Sequence, residues 1–176
     1  GLLTLRGKQA IESADVVLYD RLVGPEILAL IPERAEAVDV GKSSGHHLIP
    51  QSEINALIMR YVGEGKWVVR LKGGDPFLFG RGGEELERLS EAGIPFEVVP
   101  GVTSAIAVPA YGGIPVSHRD FSSSVHIITG HPRHGAERSI HYQSLVNTGG
   151  TLVFLMGVAA LPELSAGLME AGMSPD

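Results

Sequence analysis

Short runs of β-branched and aromatic residues alternate along this chain with longer amphipathic stretches, and glycines and prolines separate them. That alternation predicts βαβ units built around a parallel sheet. Thr4 is placed to cap a first helix through about Ser13, and Val16 to Tyr19 reads as a strand. A short helix over Pro25 to Ile31 leads to a second strand at Ala37 to Val40. Ser52 reads as the cap of a longer helix with Ile54, Leu57, Ile58 and Tyr61 on one face. Trp67 to Leu71 is the third expected strand, Glu84 to Ala92 a helix, and Phe96 to Val99 the fourth strand. An apolar helix near Thr103 to Val108 follows.

After Arg119 the pattern restarts, with strands at Val125 to Thr129 and Thr151 to Met156 and a helix from Leu161 to Ala171 closed by Gly172. A boundary near residues 116–121 divides an N-terminal α/β domain, 1–118, from an incomplete C-terminal α/β domain, 119–176. The first helix has no strand before it, and two strands are too few for an independently stable sheet. Both ends are therefore expected to be truncated.

Composition narrows the picture. The chain has 176 residues, 44% of them hydrophobic, which allows a substantial core and excludes a disordered chain. Cysteine is absent, so no disulfide framework or thiolate metal site is expected, in keeping with a cytoplasmic location. A net charge of −6 argues against nucleic acid as a partner. The most apolar run, Ala105 to Val116, is broken by Pro109, Gly112, Gly113 and Pro115, so no membrane span is expected.

In an open parallel sheet, ligands bind beyond the carboxyl ends of the strands. The four strands expected before residue 118 end in Asp20-Arg21, Gly41-Lys42, Lys72-Gly73-Gly74-Asp75-Pro76 and Pro100-Gly101-Val102-Thr103-Ser104. All four carry ionisable groups, hydroxyls or glycines, and four such ends in register point to a site. Gly73 and Gly74 let backbone approach a ligand, while Asp75 offers a carboxylate or caps a tight turn. Asp20 and Lys42 end successive strands and are placed to act as base and acid, or to close the sheet end as a salt bridge. Arg81, set between Gly80 and Gly82, suits a bidentate carboxylate contact or a pairing with Glu84 or Glu85.

Other chemistries find less support. Neither a Gly-x-Gly-x-x-Gly loop nor a phosphate loop is present, and Gly41-Lys42-Ser43 lacks the upstream glycine. A sulfonium cofactor needs no phosphate cradle. His46-His47 and the group His131, His134 and His141 have no helical pairing with a carboxylate, so no metal is expected. No Gly-x-Ser-x-Gly elbow occurs.

The strand-end residues resemble the uroporphyrinogen III C-methyltransferases, tetrapyrrole methylases that include the methyltransferase part of sirohaem synthase. The blocks that carry the resemblance are Gly1-Leu2-Leu3-Thr4-Leu5, Tyr19-Asp20-Arg21-Leu22-Val23, Val40-Gly41-Lys42 and Val69-Arg70-Leu71-Lys72-Gly73-Gly74-Asp75-Pro76-Phe77. They continue with Phe79-Gly80-Arg81-Gly82-Gly83-Glu84-Glu85, Val99-Pro100-Gly101-Val102-Thr103-Ser104, Gly113-Ile114-Pro115-Val116-Ser117-His118-Arg119 and Leu152-Val153-Phe154-Leu155-Met156-Gly157.

The resemblance implies a tetrapyrrole-methylase fold: two α/β domains with the active site in the cleft between them, as a homodimer. It implies contacts to S-adenosyl-L-methionine, or to its product S-adenosyl-L-homocysteine, at Gly73, Gly74, Asp75, Leu78, Thr103, Ser104 and Met156. It implies Asp20 as proton acceptor, Lys42 as proton donor, and methylation of two pyrrole carbons to give precorrin-2 in sirohaem or cobalamin biosynthesis. The carboxylates of such a substrate give Arg81, Arg21 and Arg119 a task. The family's pattern places a glycine- and proline-rich cofactor loop before the first block and further strands after the last, so a longer protein is expected. Two rival readings are another member of the fold, such as a precorrin or ribosomal-RNA ribose methylase, and a catalytically dead binding module. The Asp20 and Arg81 blocks favour the uroporphyrinogen enzyme, and retention of Asp20, Lys42 and Gly73-Gly74-Asp75 speaks against a dead module.

Overall fold

A computed structural model describes residues 1–41, 49–130 and 140–175. It divides into two compact units, Gly1–Thr103 and Ser104–Asp176. The expected boundary near residues 116–121 lies inside the second unit.

The first unit is a parallel three-stranded sheet with helices on both faces. Helix α1, Leu5–Ser13, starts where the Thr4 hydroxyl accepts the Gly7 amide hydrogen, satisfying an otherwise orphaned donor. Strand β1, Val16–Tyr19, lies between β2, Glu36–Asp39, and β3, Val68–Leu71. Tyr19 stands level with Asp39 on one side and with Leu71 on the other, so the three strands end together. Helix α2, Pro25–Leu28, is shorter than the sequence suggests. Helix α3, Gln51–Gly63, begins after Pro50, so Ser52 is an internal residue rather than the cap. The preset backbone angle of proline supplies the entry that a hydroxyl would otherwise stabilise. Helix α4, Gly82–Glu91, opens two residues earlier than expected.

Alternation along β1 builds two cores. Val16 and Leu18 face a cluster with Ile54, Ile58, Tyr61 and Leu89 from α3 and α4. Val17 faces Ile11, Ala14 and Leu71, with side chains of α2 packed around them. A strand buried on both faces reads as a continuous apolar run, which is what Val-Val-Leu-Tyr is.

The expected strand at Phe96–Val99 does not form among the described residues. A strand exists through its ladder, and these residues pair with none. Glu97 instead forms an ion pair with Arg6 of α1, and Phe96 is half exposed.

In the second unit, α5, Ser104–Tyr111, precedes a parallel pair formed by β4, Val125–Thr129, and β5, Thr151–Leu155. Between them lies α6, Tyr142–Thr148, which the sequence pattern does not announce. It packs on α7, Leu161–Glu170, where Gly167 leaves room for the Tyr142 ring. Gly172, at φ +97°, closes α7 as expected. No helix among the described residues is long and apolar enough to cross a membrane.

Leu18 is fully buried at the centre of the sheet, whereas Leu5 is largely exposed. Leu18→Ala should lower unfolding free energy by about 2–5 kcal/mol. Leu5→Ala should change it by no more than about 0.5 kcal/mol. Midpoints of urea denaturation at unchanged slope check both.

Candidate active site

The carboxyl ends of the first unit's strands converge. Asp20 follows β1 directly, and its Oδ1 accepts the Leu22 amide hydrogen at 3.0 Å, turning the chain sharply. Gly41 follows β2, and a Cβ there would stand 2.6 Å from the Arg21 nitrogen, so only glycine permits this approach. Gly73 lies against the Leu22 side chain. Lys42, His46, His47, His131 and His134 lie outside the described residues, and His141 immediately precedes α6.

Beyond β3 the Gly-Gly-Asp-Pro loop is organised around Asp75. Its Oδ1 accepts amide hydrogens from Phe77 and Leu78, both at 2.9 Å, and its Oδ2 accepts the Gly101 amide hydrogen at 3.2 Å. Partial burial pushes this carboxyl up, but the amides of Leu78, Phe77 and Gly101 outweigh burial and hold it below the usual Asp range. Asp75 therefore performs the turn-capping role that the sequence leaves open. Gly101 also brings the 100–103 segment onto the loop, since a Cβ there would lie 2.2 Å from the Gly74 carbonyl oxygen. Thr103 lies near Gly74 on the same side.

The loop continues in unusual backbone. Phe79 and Arg81 adopt φ of 53° and 58°, a left-handed conformation rare for residues with side chains. Such residues cost on the order of 1–3 kcal/mol each and cluster at ligand clamps. The guanidinium of Arg81 is bound by Glu84, with Nε donating at 2.9 Å and Nη2 at 2.6 Å, on an exposed surface. Arg21 is exposed beside Asp20.

Asp20, Arg21, Gly73, Gly74, Asp75, Leu78, Arg81 and Thr103 belong to the first unit. Ser104, Arg119 and Met156 belong to the second. Ser104 opens α5, Arg119 is exposed, and Met156 follows β5. Met156 is a third left-handed residue, at φ 56°. Left-handed backbone thus marks two of the sequence-nominated segments independently of their residue types.

A buried ionic network beneath the loop escapes the sequence reading. Glu85 is only 5% exposed. Its Oε1 accepts from Arg70 Nε at 3.1 Å and from Gln51 Nε2 at 3.0 Å, and Lys72 Nζ lies 3.3 Å from Oε2. Burial pushes the Lys72 ammonium below its usual range, and neighbouring Arg70 adds to this, against the opposing pull of Glu85 and Asp20. Arg70 Nη2 lies 3.8 Å from Asp20 Oδ2. Glu85 therefore turns inward while Glu84 meets Arg81. The available signal is the pair of cations at alternate positions of an otherwise apolar strand, Val-Val-Arg-Leu-Lys, where a buried charge requires a partner.

Comparison with known proteins shows the family. The profile of the Tetrapyrrole (Corrin/Porphyrin) Methylases matches residues 1–176. The porphyrin biosynthesis protein HemD of Ruminiclostridium josui is 58% identical over 176 residues, covering 100% of this chain and 35% of that protein. Siroheme synthase 2 of Cronobacter sakazakii is 53% identical over 175 residues, covering 99% of this chain and 38% of that protein. The chain thus spans little more than a third of the length of these relatives. Among solved structures, a uroporphyrin-III C-methyltransferase from Thermus thermophilus, complexed with S-adenosyl homocysteine, superposes with a TM-score of 0.81 at 41% identity. That match covers 99% of this chain and 72% of the other.

The Asp75 geometry carries a sign. A carboxylate whose folded pKa is depressed contributes stability above its unfolded pKa, about 3.9, and loses it as pH falls through the folded value. Asp75→Asn should be less stable than wild type at neutral pH. The gap should stay constant down to about pH 5 and close at lower pH. Denaturation midpoints across that range, for both proteins, check it.

Proposed function

This chain belongs to the tetrapyrrole methylases, and from that premise we propose that it carries the methyl-transfer machinery of a uroporphyrinogen III C-methyltransferase. The reaction is S-adenosylmethionine-dependent C-methylation of two pyrrole carbons to give precorrin-2, for sirohaem or cobalamin. The observation that carries the reading is the interlocked loop at the end of β3. Gly73 and Gly74 are exposed there, and Asp75 and Gly101 hold the backbone open without a phosphate cradle. Such a site suits an uncharged sugar and an amino-acid tail rather than a polyphosphate.

Gly73, Gly74, Leu78 and Thr103, with Asp75 as the brace of their loop, would hold S-adenosylmethionine; Ser104 and Met156 complete the assignment from the second unit. When bound, the cofactor supplies an electrophilic methyl group on a sulfonium. The protein's part is to orient an electron-rich pyrrole carbon and to remove the ring proton once the carbon is tetrahedral. Holding reactants in contact supplies the larger share of the rate, and acid–base groups add to it. Asp20 is the proton acceptor. Its Oδ1 accepts the Leu22 amide hydrogen, and its Oδ2 lies 3.8 Å from Arg70 Nη2, beyond hydrogen-bonding distance. Lys42 is assigned as proton donor on the resemblance, and it follows Gly41, which abuts Arg21.

Arg81, with Arg21 and Arg119, receives the substrate's carboxylates. The exposed Arg81–Glu84 pair is worth about 0–1 kcal/mol, so a substrate carboxylate can take the place of Glu84 at little cost. The assembly is a cytoplasmic homodimer in this reading.

Titration of the full-length protein with S-adenosylhomocysteine tests the assignment, and failure of Gly101→Ala to weaken that binding would refute the loop's role. Asp20→Ala should lower kcat by about 10²–10⁴ while leaving the cofactor affinity near wild type. Wild-type turnover would return Asp20 to a turn-forming role. Arg81→Leu should cost about 2–5 kcal/mol in kcat/KM for the tetrapyrrole, and Arg81→Lys should recover only part, lacking the bidentate fork. Steady-state kinetics with paired cofactor titrations decide both.

A further inference from the structure

Glu85 sits one residue beyond the surface pair formed by Arg81 and Glu84, yet its environment is wholly different. Its carboxylate is buried between α4, α3 and β3, and it accepts hydrogen bonds from Arg70 Nε at 3.1 Å and from Gln51 at 3.0 Å. Arg70 is held further by its own Nη1, which donates to the backbone carbonyls of Leu71 at 2.9 Å and Leu18 at 3.3 Å. The guanidinium is thus fixed by three acceptors, none of which is Asp20. Its remaining nitrogen, Nη2, lies 3.8 Å from Asp20 Oδ2, at the point where β1 and β3 end side by side.

Charge balance alone explains why buried Arg70 and Lys72 need a carboxylate. It does not require that Arg70 run along the strand ends until its free nitrogen faces Asp20. The Asp20 side chain has one oxygen fastened by the Leu22 amide and the other left to Arg70. That carboxylate is therefore hydrogen-bonded on one side and faces a guanidinium nitrogen at ion-pair distance on the other.

We propose that Glu85 is a positioning residue for Asp20: it anchors Arg70, and Arg70 fixes the direction in which the second Asp20 oxygen faces the substrate. This rests on the reading of Asp20 as proton acceptor. Glu85 touches neither substrate nor cofactor, so its removal should alter the proton-transfer step and spare cofactor binding.

The test is a double-mutant cycle in the full-length protein, read by kcat for tetrapyrrole methylation and by the dissociation constant of S-adenosylhomocysteine. Glu85→Gln keeps the shape but loses the charge, so one neutral amide oxygen, shared with Gln51, replaces the charge-assisted anchor of Arg70. It should lower kcat by about 100-fold, the scale of a 1 Å misplacement at a reacting centre, with the cofactor affinity unchanged. Combined with Asp20→Asn, it should cause no loss beyond that of Asp20→Asn alone, because both act on one group. Multiplying losses, or wild-type kcat in Glu85→Gln, would overturn the proposal.

Should Glu85→Gln fail to fold, Arg70→Lys decides. It preserves the buried charge and still reaches Glu85, but it cannot span to Asp20 as well. The same cycle then applies: loss of kcat that vanishes in the Asp20→Asn background supports the proposal, and additive loss refutes it. Wild-type turnover in Asp20→Asn itself would overturn the proton-acceptor reading, and this inference with it. An impaired Asp20→Asn beside an additive partner would overturn this inference alone.

Discussion

A carboxylate buried between two helices and a sheet costs several kcal/mol unless cations meet it, and the Glu85 site answers that demand with Arg70, Lys72 and Gln51. Much of the first unit's upper edge follows from this requirement. Arg70 lies near the end of β3 and Lys72 directly follows it, Gln51 opens α3, and Glu85 itself stands in the first turn of α4. The start of two helices and the end of a strand are thereby tied to one point. The glycine-rich loop that leaves β3 and returns as α4 is held at both of its ends by the same ion cluster.

Between those ends the loop is stabilised by its own backbone. Asp75 spends both carboxylate oxygens on three amides, and Gly101 closes directly over the Gly74 carbonyl. These contacts offset the left-handed conformations of Phe79 and Arg81. They also leave Gly73 and Gly74 facing outward. A rigid loop with exposed backbone is suited to a neutral ligand, because its donors and acceptors are oriented before binding and little ordering entropy remains to be lost. Asp20, a short distance away, is set by a similar economy of one amide and one guanidinium.

Local signals made much of this legible. Thr4 announces α1, the apolar Val-Val-Leu-Tyr run announces a strand covered on both faces, and Gly172 announces the end of α7. Elements that depend on a partner were less so. Phe96–Val99 has the composition of a strand, but a ladder needs a neighbouring edge, and its Glu97 is engaged by Arg6 on α1. Helix α6 is too short to be stable by itself; it holds because Gly167 of α7 makes a seat for Tyr142. At the site, the sequence nominated Arg81 as a carboxylate clamp with Glu84 or Glu85 as its alternative partner. The fold distinguishes them: one glutamate faces Arg81 at the surface, the other faces inward.

Periodicity and turn chemistry depend on neighbours a few residues apart, so the sequence by itself determined the positions of β1, β3, β4 and β5 and the glycine-bearing strand ends. The same local rules marked Asp20, Gly73, Gly74 and Asp75 as candidates for a strand-end site, whereas Met156 entered through the family resemblance. Tertiary structure alone decided that Asp75 is consumed by amides, that Arg70 reaches Asp20, and that Glu85 rather than Glu84 is the buried anion. Glu84 and Glu85 are chemically identical, and a single helical step of about 100° separates solvent from core. Which side becomes the core is settled only when α4 meets β3 and α3, because only there does burial give a charge its partners.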